Sequence, residues 1–362
     1  MKIMNNVGQI DAVQWSKLVV ISSTANFFQT KECFDFFDSL PMFSAFIYGV
    51  ADDNGMLRGV CSGYIQADGG KIKKYLSRRA IINGGPMFAD DITEKELLAL
   101  LKAVREGLKG RAIYVETRNY NDYSKYRHVF EKAGYKYEPH LNFHVDTTSE
   151  EVVIKNIHKN KKRKIRSTLK ENVVVDECPS KEDLKSFYLL LSELYKNKVK
   201  TPLLPLSFFE KLYDQEFSKF LIIKKDKEVL GGQVILILPQ DTVYLFFLCG
   251  EDGKYKGIYP SVLGTYAGME FSVKNGCKKC DMLGAGKPDE EYGVRNFKAE
   301  FGGQLVEHGR YDYVLSPMLY NVGKMGVKIM KSNILTDGLA GAIRSLFKKL
   351  LRHKHSSVID NI

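Results

Sequence analysis

The chain of 362 residues has no apolar run approaching the ~18–20 residues that cross a bilayer. Its opening, MKIMNNVGQIDAVQW, lacks a basic segment followed by an apolar core, so no secretory signal is read there and the cytoplasm is the expected compartment. Six cysteines (Cys33, Cys61, Cys178, Cys249, Cys277 and Cys280) fall at no disulfide-framework spacing. Cys277 and Cys280 form a lone C-x-x-C between a helix-ending Gly276 and the start of a strand. A zinc site would want a second pair, and a redox motif would want its first Cys at a helix N-terminus. Buried or incidental thiols and no metal are expected. No G-x-S-x-G, H-E-x-x-H, Walker loop or Rossmann fingerprint is present, which removes the sequence marks of serine-hydrolase, zincin, P-loop and dinucleotide chemistry.

What the chain does have is charge. Lysine and arginine number 54 against 43 aspartates and glutamates, a net +11 that favours anionic partners: nucleic acid, phosphorylated precursors or anionic lipid. A hydrophobic fraction of 44% and a charged fraction of 27% are those of a globular protein, and the length suits two domains.

In the first half, strands are expected at Ala45–Val50 and Gly59–Gln66, joined through Asn54-Gly55, a strong hairpin cue. A further strand is expected at Tyr75–Ile82. Thr93–Gly107 is an amphipathic helix whose Thr93 and Glu96 form a capping box. In the second half, Glu151–Glu171 reads as one very basic helix and Lys181–Lys198 as an amphipathic one. Phe220–Lys224, Val229–Leu238 and Thr242–Leu248 read as an antiparallel meander, and Ser261–Lys274 as a helix started by Pro260. Strands flanked by helices in each half give a tandem α+β architecture.

The densest signals lie in Gly284–Val314. A strand ends at Met282–Leu283, and a glycine-rich loop follows. A short helix carries Phe297 and Phe301 on one face, Gly302-Gly303 stops it, and a strand from Leu305 to Leu315 closes the unit. Ile113–Thr117, Asp122–Ala133, Gly134 and His140–Val145 repeat that order. A spacing of roughly 170 residues marks a duplicated domain rather than a solenoid of short units.

The string Gly293-Val294-Arg295-Asn296-Phe297-Lys298-Ala299-Glu300-Phe301-Gly302-Gly303 resembles the C-terminal signature of the FemABX-type aminoacyltransferases, which form peptidoglycan cross-bridges within the wider GNAT-like acyltransferase superfamily. Lesser likenesses are Phe28-Gln29-Thr30, Gly85-Pro86 (with Gly84 where an Arg is usual), Lys162-Arg163-Lys164-Ile165-Arg166 and Tyr259-Pro260. The resemblance spans about residues 15–315. It implies two tandem GNAT-like domains, 1–146 and 147–317, each a mixed, mostly antiparallel sheet flanked by helices. A basic amphipathic helical tail, 318–362, follows. It also implies transfer of an activated acyl or aminoacyl group to an amine of a cell-envelope precursor such as a peptidoglycan stem peptide. The donor would be aminoacyl-tRNA or acyl-CoA, with no tightly bound cofactor. One subgroup of the family carries a coiled-coil arm; no heptad run here supplies one, so the likeness is to the armless form.

The resemblance assigns Lys298 to the reacting ester, with Phe297 beside it; a cation there stabilises the developing oxyanion. Arg163 and Arg166, at i and i+3, are expected to grip one phosphate, although a merely solvated basic face is the plainer alternative. Tyr259, Tyr292 and Gln29 are expected at the substrate, although the two tyrosines read equally well as rim or core aromatics. The acidic loop Asp289-Glu290-Glu291 either orients the amine or is simply solvated. Lys254–Pro260 stands where a CoA-binding turn would be, but it has a single glycine and Pro260 lacks an N–H, which argues against an ordinary CoA cradle. In the tail, Leu335, Leu339, Ile343, Leu346, Phe347 and Leu350 share a face opposite Lys348, Lys349, Arg352 and Lys354. That pattern suits either docking on its own domain or peripheral contact with the inner face of an anionic membrane. Two other functions compete: an acyl-CoA-dependent N-acetyltransferase modifying an amino sugar in polysaccharide biosynthesis, and a non-catalytic anion-binding protein.

Overall fold

A computed structural model describes residues 1–67 and 71–331. The first half runs through β1 (Lys2–Met4), α1 (Ala12–Ile21), α2 (Lys31–Asp38), β2 (Ser44–Ala51), β3 (Leu57–Gln66), α3 (Lys71–Ser77) and β4 (Arg79–Gly84). It continues through β5 (Met87–Phe88), α4 (Glu94–Gly107), β6 (Tyr114–Asn119), α5 (Arg127–Lys132), β7 (Lys136–Glu138) and β8 (Leu141–Asp146). The second half runs through α6 (Glu150–Asn156), α7 (Lys159–Lys170), β9 (Val173–Asp176), α8 (Lys181–Leu194), α9 (Leu206–Tyr213), β10 (Ser218–Lys225), β11 (Glu228–Leu238) and β12 (Thr242–Gly250). It ends with α10 (Pro260–Lys274), β13 (Lys279–Gly284), α11 (Gly293–Ala299), β14 (Gln304–Glu307), β15 (Arg310–Val314) and α12 (Pro317–Lys331).

The strands form two mixed sheets. The first has the order β1-β2-β3-β4-β6-β15-β7, with β5 beside β3; the second has the order β14-β8-β13-β12-β11-β10-β9. The halves exchange strands. β8 follows β7 in the chain but lies in the second sheet, while β15 follows β14 but lies in the first. The strand expected from Leu305 to Leu315 is therefore two strands in two sheets. Gly309, at φ +65°, makes the passage, and a side chain there would strike the Tyr137 ring. The boundary expected at 146/147 falls at the end of a strand that belongs to the second sheet, and 310–314 return to the first.

Other expectations shift for local reasons. Tyr75–Ile82 is not one strand: the lysine-rich run up to Ser77 is helical, and the strand starts at Arg79. The helix expected at Glu151–Glu171 breaks at Ile157, and His158 caps a second helix. The cause is tertiary. The His158 N–H donates to the Glu300 carbonyl, and Gly302 (φ +80°) sits so close to the Asn156 carbonyl that no Cβ would fit. The capping box at Thr93 and Glu96 forms as read, and Pro260 takes the first turn of α10.

The halves meet across an aromatic core. Phe27, Phe28, Phe36 and Phe37 pack against Phe187, Phe208, Phe209, Phe220 and Tyr244, all buried. Edge-on pairs such as Phe28–Tyr244 (5.3 Å) and Phe36–Phe208 (5.6 Å) each add about 0.5–1.5 kcal/mol beyond area burial. Each half also has its own core: α4 and α5 cover one face of the first sheet, and α10 lies on the second. Among the described residues no helix is long and apolar enough to cross a membrane. Residues 332–362, with the tail positions from Leu335 to Lys354, lie outside the described residues.

Candidate active site

A cleft of about 490 Å³ opens where the two sheets exchange strands. Its walls include both crossovers, His140-Leu141-Asn142 and Gly309-Arg310, together with Arg79, Asn83, Arg118 and Tyr120 from the first half and Phe246, Phe247, Leu283 and Gly284 from the second. It opens here because β12 and β13 separate. They pair in parallel only over Thr242–Tyr244 with Lys279–Asp281. A bulge between Val234 and Ile235 then places an extra residue, Phe246, on β12. The Phe246 and Phe247 rings lie 4.5 Å apart in the gap.

The far wall is the end of β13, held in an unusual shape. Leu283 is in the left-handed region (φ +58°), rare for a branched aliphatic residue. Two charged groups hold it. Asp281, fully buried, accepts from the Leu283 N–H at 2.7 Å and from Asn142 Nδ2 at 2.8 Å, with His144 Nε2 3.2 Å from its other oxygen. Burial works to raise the Asp281 pKa, but the hydrogen bond and charge of His144 and the charge of Lys279 outweigh it, and the net effect is downward. On the other side Lys298 Nζ donates to the carbonyls of Met282 (2.5 Å), Leu283 (3.1 Å) and Gly284 (2.8 Å). Burial lowers the lysine's pKa to about 8 against the opposing pull of Asp281.

The Lys298 ammonium does not stand free in the cleft. It lies behind a strand end whose Leu283 and Gly284 line the cleft, and its donors are engaged by backbone. Phe297 is likewise turned inward: its ring packs 5.2 Å from Phe301, with Lys161 Nζ 3.9 Å from its centroid. Lys161 is nearly buried and pairs with Glu300 at 3.2 Å, tying α7 to α11.

The other expected residues are dispersed. Arg163 and Arg166 line a separate depression of about 390 Å³ along α7 with Lys159, Lys162, Ser167 and Lys170, sharing no residue with the cleft. Tyr259 precedes α10; its N–H donates to Thr168 Oγ1 (2.9 Å), and Lys164 lies over its ring at 4.7 Å. Tyr292 is exposed beside Gly286, and Asp289, Glu290 and Glu291 are solvated. Gln29 sits inside the first half. It is fully buried, its amide donating to the carbonyls of Ser62 (3.0 Å) and Asn83 (2.9 Å) and accepting from the Ser62 N–H (2.8 Å). Cys277 and Cys280 are buried thiols whose pKa values burial raises.

The start of α10, where a pyrophosphate would sit, is occupied from within. Asp252 Oδ1 accepts from the Ser261 N–H at 3.0 Å, the next two N–H groups meet the Tyr259 carbonyl, and Gly250 packs against Ser261 without room for a Cβ.

The cleft wall also includes residues that motif reading did not single out, Arg118 and Arg310, with Glu116 bridging them from beneath. Their signal was present as alternation, since Tyr114, Glu116 and Arg118 are polar at every second position of a strand whose other face is buried. His140 is a further wall residue. Burial, and after it the Arg310 charge, lowers its pKa to about 4, so it is neutral at pH 7.

The FemAB family model matches residues 213–327. The crystal structure of FemX superposes with a TM-score of 0.68 at 15% identity, over 89% of this chain and 99% of that one. A tandem GNAT protein from the clavulanic acid biosynthesis pathway matches at 0.55 with 10% identity, over 87% of this chain and 99% of that one. The C-terminal domain of a putative lysylphosphatidylglycerol synthetase from Agrobacterium fabrum matches at 0.53 with 11% identity, over 88% and 95%. No curated protein matches the sequence. At such identities the structures speak for the fold, tandem and GNAT-like, and the FemAB family model matches the part of the chain that carries the Phe-Lys-x-x-Phe-Gly-Gly string.

Proposed function

We propose that the protein transfers an activated aminoacyl or acyl group to an amine of a cell-envelope precursor, with a peptidoglycan stem peptide as the leading acceptor. The observation that carries this reading is the gap between β12 and β13, which opens onto a cleft lined by both halves. Donor and acceptor can approach one another there from opposite sheets. The amine nitrogen attacks the ester carbonyl carbon, the tetrahedral oxyanion collapses, and the C–O bond to the carrier breaks. The amine's proton ends on the departing oxygen. The cleft contributes alignment and exclusion of water by its aromatic walls. Lys298 acts beside it, fixing the backbone of Leu283 and Gly284 and keeping a positive charge behind the strand end toward which the oxyanion develops. His140, held neutral, adds an acceptor rather than another cation.

Aminoacyl-tRNA is the favoured donor. The internal carboxylate of Asp252 and the missing N–H of Pro260 leave α10 without the free N–H groups that a CoA pyrophosphate needs. This weighs against the amino-sugar N-acetyltransferase reading. Arg163, Arg166 and their lysine neighbours, exposed on one side of α7, suit the tRNA or the pyrophosphate of the precursor. Lys324 and the exposed Met318 and Met325 of α12 suit peripheral contact with an anionic membrane on the cytoplasmic side.

The test is mass spectrometry of a UDP-linked muropeptide incubated with charged tRNA or with acetyl-CoA. A mass increase of one amino-acid residue with charged tRNA is expected. Acetylation by acetyl-CoA alone would overturn the donor assignment, and no product with either would overturn the reading.

A further inference from the structure

Arg118 and Arg310 stand directly opposite one another in the antiparallel pair β6–β15, and both line the cleft. Like charges at facing positions of a sheet are destabilising, so the arrangement calls for a counter-ion. Among the described residues a single carboxylate, Glu116, lies within ion-pair distance of both: Oε1 is 2.6 Å from Arg118 Nε and Oε2 is 3.2 Å from Arg310 Nη1. Each guanidinium offers five N–H donors in a planar fork, and each gives one to Glu116. Side-chain exposures of 35% and 27%, against 16% for Glu116, leave the forks facing the cleft while their counter-ion lies deeper. Two other acids on this face do not restore the balance: Glu138, opposite Arg310 on β7, lies 3.8 Å from Lys287, and Asp312 holds its proton. Asp312 is paired in register with Glu116 and has a buried oxygen without a partner; burial, and then the Glu116 charge, raises its pKa to about 7.

We propose that Arg118 and Arg310 are an oxyanion-recognition pair that holds an anionic group of the amine acceptor, with Glu116 as the internal anion sharing them until the acceptor arrives. The inference rests on the cleft being the acceptor site and specifies what that acceptor must carry: an acidic group within reach of the reacting amine. Around the pair, Tyr64, Tyr120, Phe246 and Phe247 offer flat apolar walls to the body of the acceptor. A peptide carboxylate and a lipid or nucleotide phosphate present the same chemistry to two guanidinium forks.

Direct binding, read by calorimetry on the full chain without any donor, separates this inference from the transfer reaction. The probes are the dipeptide γ-glutamyl-lysine, its fully amidated form, and sn-glycerol 3-phosphate. The wild type should bind an acidic probe about tenfold or more tightly than the amide, with affinity falling as salt rises. Arg310→Met should weaken binding by about 10–100-fold, and Arg118→Lys, which keeps the charge but loses the fork, by about tenfold. Glu116→Gln is the decisive variant: with the internal competitor gone, the anion should bind about 3–10-fold more tightly. A purely structural ion cluster would not give that gain. Thermal unfolding of each variant checks that it is folded. Stronger binding of the dipeptide assigns the pair to a carboxylate, and stronger binding of glycerol phosphate assigns it to a phosphate. Equal affinity for the acid and the amide, no binding of either acidic probe, or weaker binding by Glu116→Gln overturns the proposal. Binding retained in a protein that transfers nothing from any donor would instead overturn the transfer reading and leave the pair standing.

Discussion

The two halves of the molecule follow the same order of strands and helices and differ where chemistry would occur. In the first sheet the parallel pair β4–β6 stays joined over all six positions, Arg79–Gly84 with Tyr114–Asn119. The turn beyond β4 is plugged: Tyr123 is buried, and its hydroxyl donates to the carbonyls of Gly84 (2.9 Å) and Pro86 (2.8 Å). In the second sheet the corresponding pair parts after three positions, and the gap becomes a wall of the cleft. The ends of α5 and α11 make the same contrast. Four residues before the positive-φ glycine that follows each helix, the first half has Phe130 and the second has Lys298. Phe130 stacks on Tyr311 at 4.0 Å in a sealed core, whereas Lys298 gathers three carbonyls beside the cleft. The first half is the sealed one, and its sheet face supplies one wall of the cleft that opens at the second.

The contrast breaks hardest at that matched position. Lys298→Met should reduce transfer by about 10²–10³-fold, the scale of losing a fixed electrostatic stabiliser. It should also lower stability by about 3 kcal/mol, since three carbonyls lose their donor. Phe130→Leu should lower stability by about 1–2 kcal/mol and leave transfer unchanged. Chemical denaturation with a product assay on both variants checks the pair. Equal activity in the two would remove Lys298 from the functional half of the comparison.

Asp312 tests whether the polar face of the first sheet is held under electrostatic strain. Its carboxyl keeps its proton up to about pH 7 in the folded chain, whereas an unfolded aspartate loses it near pH ~4. Between those values the native state binds more protons than the unfolded one, so this group's contribution to stability falls as pH rises through the window and is flat above it. Asp312→Asn should abolish that slope and be more stable than the parent at pH 8 by about 2 kcal/mol, a figure already reduced for the residue's partial exposure. Melting temperatures from pH 4 to pH 8 read it directly; a gap between variant and parent that narrows with rising pH would contradict the assignment.

Much of this was legible in the chain, and the illegible part has a physical pattern. Elements whose signals are local came through: the capping box at Thr93, the proline start of α10, the meander of β10 to β12, and the repeat with its Phe-Lys-x-x-Phe-Gly-Gly string. Strand exchange did not, because periodicity reports that a segment is a strand and not which sheet receives it. The break at Ile157 was hidden for the same reason, being imposed by Gly302 from 145 residues further along the sequence. At the candidate site, the string drew attention to Lys298 but could not give the direction of its ammonium, which the carbonyls of β13 set. Arg118, Glu116 and Arg310 were invisible as a group since two of them are separated from the third by about half the chain, and only the β6–β15 pairing brings them together. Gln29 shows the reverse: its local, motif-like signal does not reveal that it is buried as a pin between the backbones of Ser62 and Asn83.

The plug in the first half gives a smaller effect. Tyr123→Phe removes a hydroxyl shared by two buried carbonyls and should cost about 1–2 kcal/mol without altering transfer. A gain of acyl-CoA binding in this variant would mean that the hydroxyl, rather than the joined strands, is what closes the first half.

The finest distinction lies at the start of α10, where the open half is itself occupied. The Asp252 carboxylate sits on the Ser261 N–H as an internal anion, so millimolar acetyl-CoA should leave the melting temperature of the parent unchanged. Asp252→Ala should cost about 1 kcal/mol, as the loss of a helix-terminal acceptor does, and should gain only a slight response to inorganic pyrophosphate because Pro260 still offers no N–H. A clear rise for the parent with acetyl-CoA would mean that the turn opens for a CoA donor, and would reassign the gap between β12 and β13 from an aminoacyl ester to a thioester. A response confined to the variant would show that the carboxylate is the barrier and that this half has traded a phosphate cradle for a built-in anion.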